Sequence, residues 1–164
     1  METTLRALYN HDRWATLALI DHLAGLPPET LALDAPGTYG SIGATLIHIV
    51  DAAEGYLARL EDRPPPDRPA EDAPLPSLAE LRERADAALS RLGAIALERD
   101  GASRVTGHRR DTGEPFDLPA WLFLGQAVHH GNEHRAHICT VLGARDLPTP
   151  EIDVWAYEDS LSRR

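Results

Sequence analysis

Cysteine is almost missing from this chain of 164 residues: Cys139 is its one thiol, so no internal disulfide can staple the fold. Positive charge is short as well. Lys and Arg total 16 against 26 Asp and Glu, a formal net charge of −10. That balance speaks against nucleic acid or an anionic membrane as partner, because both reward basic surfaces. No apolar run approaches the roughly 20 residues that a membrane span needs, and no secretory n-region, h-region and cleavage site can be read. These absences predict a cytoplasmic protein. A glycine-rich phosphate loop and a G-x-S-x-G nucleophile elbow are also missing, which removes phosphate-cradle and serine-hydrolase readings. No internal repeat or second compositional zone breaks the chain, so its length predicts a single domain over residues 1–164.

What is present is helical period. From Thr3 to Leu26 apolar residues recur at Leu5, Leu8, Tyr9, Thr16, Leu19 and Leu23, with Asp12 falling inside the stripe, and Pro27-Pro28 follows. Ser41 stands where it can cap a second stripe of Ile42, Leu46, Ile49, Ala53, Tyr56 and Leu60. The stretch "EDRPPPDRPAEDAPLPS" holds six prolines and predicts a surface linker. Ser77 and Glu80 have capping-box spacing before a third stripe of Leu78, Leu81, Ala85, Leu89, Leu92 and Ala96. Between Asp100 and Phe116 the period lapses, and "VTGHRRDTGEPF" predicts a small hairpin or a loop. Asp117 is the expected cap of a fourth helix, with Pro119 in its first turn and Gly143 at its end. Trp155 and Tyr157 predict that the tail packs back on the helices. The fold class expected is all-α: a four-helix bundle with one long crossover after the second helix.

The fourth helix carries the unusual chemistry. "VHHGNEHRAHI" packs four of the eight histidines into residues 128–138. On a 3.6-residue period Phe123, Ala127, His130, His134, Ile138 and Val141 share one face. His130 and His134 therefore stand one above the other, about 5–6 Å apart at Cβ, where two imidazoles can converge on one cation. His137 lies about 10 Å along the axis from His130, too far to share that ion easily. His129 and His137 are expected at the surface or beside the ligands, and Glu133 in solvent. The motif is not the zincin H-E-x-x-H, since Gly131-Asn132 follows His130. A third ligand must come from another helix. His11, His22, His48 and His108 are the candidates, and His48 stands out for its small neighbours Ala44, Thr45, Ala52 and Gly55.

"SIGATLIHIVDAAEGYLARL" followed by "HHGNEHRAHICTVLGA" resembles the DinB-like, YfiT-related superfamily of damage-inducible four-helix bundles. "YNHDRWATLALIDHL" resembles its first helix and "LPTPEIDVWAY" a tail of one branch, so the likeness spans nearly the whole chain. The resemblance implies one divalent metal held by His48, His130 and His134, an up-down-down-up helix order and a homodimer. Where many relatives follow His-Arg with Gly-Gln or Ser-Gln, this chain follows Arg135 with Ala136-His137.

Three neutral imidazoles leave a divalent ion with open positions, the arrangement of catalytic sites. Such an ion can lower the pKa of water for hydrolysis or hold a substrate thiol as thiolate. The second route is the one the resemblance implies, with a low-molecular-weight thiol among small-molecule substrates. Nitrogen ligands suit zinc, nickel, iron or copper alike. Asp12 is the candidate catalytic base, with Asp51 and Glu54 as alternatives, although an ion pair or a solvated face is the plainer role for each. Cys139 reads as an inert half-buried thiol. Trp14, Trp121 and Trp155 read as packing, with Trp121 able to border a pocket. A metal-dependent thiol transferase or hydrolase is the preferred function, and a non-catalytic metal- or ligand-binding stress-response module is the alternative.

Overall fold

The computed structural model describes residues 3–66, 76–109 and 111–163. In chain order these form α1 (Thr4–Ala24), a 3-10 turn (Pro28–Ala32), α2 (Ile42–Leu60), α3 (Leu78–Glu98), β1 (Arg104–His108), β2 (Pro115–Pro119), α4 (Ala120–Gly143) and α5 (Val154–Ser162). Of the proline-rich stretch, residues 67–75 lie outside the described residues. None of the described helices is long and apolar enough to cross a membrane.

The helix starts follow local chemistry. Ser41 Oγ accepts from Ala44 N at 3.2 Å. Ser77 and Glu80 form the reciprocal box, Glu80 N donating to Ser77 Oγ at 3.2 Å and Ser77 N to Glu80 Oε2 at 2.8 Å. Two otherwise unpaired amides are thereby satisfied at the start of α3. Ser77→Ala should cost about 1 kcal/mol, read as a lower denaturant midpoint at unchanged slope.

The start of α4 differs from the expectation. Asp117 is not its cap: it lies in β2 opposite Thr106, with its carboxylate 2.8 Å from Arg104 Nε. The strand runs on to Pro119, which precedes the helix and makes no side-chain cap. The first amides of α4 are satisfied from the loop before β1, Ala120 N donating to Ser103 O at 2.8 Å and Trp121 N to Gly101 O at 2.9 Å. Tertiary carbonyls have taken over the role of a capping side chain. Residues 104–108 and 115–119 are thus a genuine antiparallel hairpin, pairing Arg104 with Pro119 and His108 with Pro115. His108, expected in a loop, is in β1.

One contiguous apolar cluster joins the helices, with Leu19, Ile20, Ile42, Leu46, Val50, Leu92, Ile138 and Leu142 fully enclosed. Leu5 and Leu8 are exceptions to the first stripe, 45% and 43% exposed. α1 packs chiefly on α3, and α2 on both α4 and α3. Ion pairs mark the registers. Arg13 meets Asp86 while Asp21 meets Arg82, so rising numbers on α1 face falling numbers on α3. Arg84 meets Asp51 and Glu54 while Arg91 meets Glu61, so α2 and α3 rise together. The tail folds back as expected, but through Tyr157, whose ring lies 5.4 Å from that of Trp14. Trp155 is 79% exposed and does not share in that packing.

Candidate metal centre

α2 and α4 bring three histidines to one point. His130 and His134 project from successive turns of α4, and His48 faces them from α2. The Nε2 atoms of His48 and His130 lie 3.0 Å apart. Ring centroids are 4.7 Å apart for His48 and His130, 4.8 Å for His48 and His134, and 4.3 Å for His130 and His134. One nitrogen from each ring falls within 4.8 Å of the other two. Of the four candidates for third partner, the fold selects His48. The His11 and His22 side chains are spent elsewhere, their Nε2 atoms bonding Ile152 O at 2.9 Å and Pro148 O at 2.8 Å to seat the tail on α1.

Electrostatics keep these rings neutral. Burial pushes the His130 pKa down to about 4, helped by the neighbouring charges that His134, His48 and His129 would carry. Burial also lowers the values of His48 and His134, the latter helped by His48. Neutral imidazole is the ligating form. Two nitrogens bound to one tetrahedral ion at 2.0–2.1 Å sit about 3.4 Å apart, the spacing range of this cluster. The donor set therefore fits a divalent transition metal.

Aromatic rings border the cluster, and the sequence pattern did not reveal them. Tyr39, from the loop before α2, stacks on His48 at 4.1 Å with 12° between planes and meets His134 edge-on at 5.0 Å. Tyr56 lies 6.0 Å from His130 and bonds Gln126. Tyr39 belongs to no helix, so no period could have flagged it. Trp121 is exposed rather than core.

Asp12 meets α4 at Gly131 and Arg135, about 100° round the helix from His130 and His134. It is 1% exposed, and its Oδ1 accepts from Arg135 Nη1 at 2.7 Å. The same Nη1 donates to Thr16 Oγ1 at 2.8 Å. Burial pushes the Asp12 carboxyl up, against the pull of the Arg135 guanidinium. Gly131 makes room: a Cβ there would lie 2.9 Å from both Asp12 Oδ1 and Arg135 Nη1. Asp51 and Glu54, the alternative bases, are bonded by Arg84 at 2.6 Å and 2.7 Å. Burial raises the pKa of the half-buried Cys139 thiol, in keeping with an inert group. His129 is on the surface 3.9 Å from Glu133, whereas His137 adjoins the cluster, its ring 5.2 Å from His134.

A chiefly helical protein with three neutral imidazoles converging between two helices has the makings of a metal-binding protein. The chain belongs to the DinB family, whose model matches residues 1–163. No curated protein matches it.

Proposed function

We propose that this protein is a divalent-metal-dependent enzyme acting on a small substrate, by thiol transfer or by hydrolysis. The observation that carries the reading is the convergence of exactly as many imidazoles as a catalytic site uses, with His48 and His130 only half-buried. His48, His130 and His134 would hold the ion. A divalent cation there supplies Lewis acidity, which lowers the pKa of an adjacent thiol or water. Tyr39 and Tyr56 border the cluster and suit a small molecule, with a low-molecular-weight thiol as the proposed substrate class. In the transfer, sulfur bonds to the electrophilic carbon, the carbon–leaving-group bond breaks, and the thiol proton departs with the leaving group. Asp12 is assigned to anchoring rather than to proton transfer, because its carboxylate is sealed and engaged by Arg135. The ion-pair registers of α1 with α3 and of α2 with α3 support an up-down-down-up bundle order around this site.

The test is turnover of a thiol with an alkylating electrophile, and of an ester panel, by protein loaded with zinc or nickel. Turnover should vanish on chelation, return on reloading, and be absent in His48→Ala. A strong drop in melting temperature on chelation, with no turnover across the panel, would instead favour the non-catalytic module.

A further inference from the structure

Two ring nitrogens in the described structure are buried without a hydrogen-bond partner: Nδ1 of His134 and Nδ1 of His137. They stand on adjacent turns of α4, three residues apart, with the rings edge-on at 5.2 Å and an interplanar angle of 74°. A buried imidazole nitrogen left unpaired is costly, so two such atoms on neighbouring rings call for a common explanation. A metal-ligating histidine nearly always gives its second N–H to an acceptor, which fixes its tautomer and ring angle. His134 has no carboxylate or carbonyl in that role. Its neighbour in sequence, Arg135, is committed to Asp12 and Thr16.

We propose that His137 is the positioning residue of the metal centre, orienting His134 through one shared water between the two Nδ1 atoms. This rests on the reading of His48, His130 and His134 as metal ligands. In this arrangement His134 offers Nε2 to the ion, matching His48 and His130, whose Nε2 atoms lie 3.0 Å apart. Its Nδ1–H then donates to the water, and the water donates to His137 Nδ1, whose proton is on Nε2. Each of the two Nδ1 atoms on this path then has one partner. The two rings adjoin, with centroids 5.2 Å apart, which brings a path of two hydrogen bonds of about 2.8 Å each within reach. The pairing also explains why this position tolerates histidine beside a ligand set that it cannot itself join.

The experiment compares zinc affinity, by competition with a chromophoric chelator, in the wild type, His137→Phe, His137→Gln and His129→Ala. Phe keeps an aromatic ring and removes the acceptor, so affinity should fall about 10–100-fold while the stoichiometry stays at one. Gln restores an acceptor oxygen and should recover most of the loss; His129→Ala, a surface change, should bind as the wild type. Long-range proton–nitrogen NMR of the zinc-loaded protein should show His134 protonated at Nδ1. Equal affinity in His137→Phe and wild type, a loss in Gln as deep as in Phe, or an unprotonated His134 Nδ1 would each overturn the positioning role alone. A wild-type protein that takes up neither zinc nor nickel, iron or copper would overturn the metal centre and this role with it.

Discussion

Chelating the metal-loaded wild type should lower its melting temperature by about 8–16 °C, and His48→Ala should show no such shift. The size follows from linkage. Free metal at about 1,000 times its dissociation constant stabilises the bound fold by about 4.1 kcal/mol. For a domain of this length each kcal/mol moves the midpoint by about 2–4 °C. His48→Ala removes one of three nitrogens, and since loss of an outer partner alone weakens binding about 10–100-fold, loss of a ligand should exceed the upper end of that range. The metal-free fold should survive the change, because His48 is half-buried and the apolar packing of α2 rests on Ile42, Leu46, Ile49 and Val50. Differential scanning calorimetry with and without chelator, alongside elemental analysis, reads both quantities. Full zinc uptake by His48→Ala would remove α2 from the site.

Arg135→Ala should destabilise the fold by about 3–5 kcal/mol. Arg135 and Asp12 are 3% and 1% exposed, so removing the guanidinium leaves a carboxylate buried with no compensating charge. It also strips a donor from Thr16 Oγ1, whose own proton goes to Asp12 O at 2.9 Å. The expected fall in melting temperature is about 6–20 °C. Replacing both partners, Asp12→Leu with Arg135→Met, should recover a large part of that loss, because apolar side chains of similar volume carry no desolvation penalty. Asp12→Asn serves a second purpose. As an anchor, Asp12 can lose its charge and the protein should still take up one equivalent of metal. Additive losses in the double variant, read by urea unfolding, would show that the pair is not coupled.

Much of the fold was legible before any coordinates, because helices are announced by local signals. Ser41, Ser77 and Glu80 cap where their spacing said they would, since a cap involves residues three apart. The His130–His134 stack was legible for the same reason: four residues along a helix are neighbours whatever surrounds it. The α4 start was misread because its amides bond Gly101 and Ser103, some twenty residues earlier in the chain, and no local pattern encodes such a bond. Leu5 and Leu8 were misread because a periodic stripe shows which way a helix faces, not how far its partners extend along it.

Residue period alone left His48 as one of four candidates, and the family likeness singled it out. The packing of α2 against α4 is what sets its Nε2 beside that of His130. Tyr39 above His48, the unpartnered nitrogens of His134 and His137, and the Asp12–Arg135 pair closed over Gly131 are likewise products of the folded chain. Period and capping act over a few residues and are written in the order of the amino acids. A metal centre needs atoms from distant helices within a few ångströms, and that distance is set by how side chains of different helices interlock.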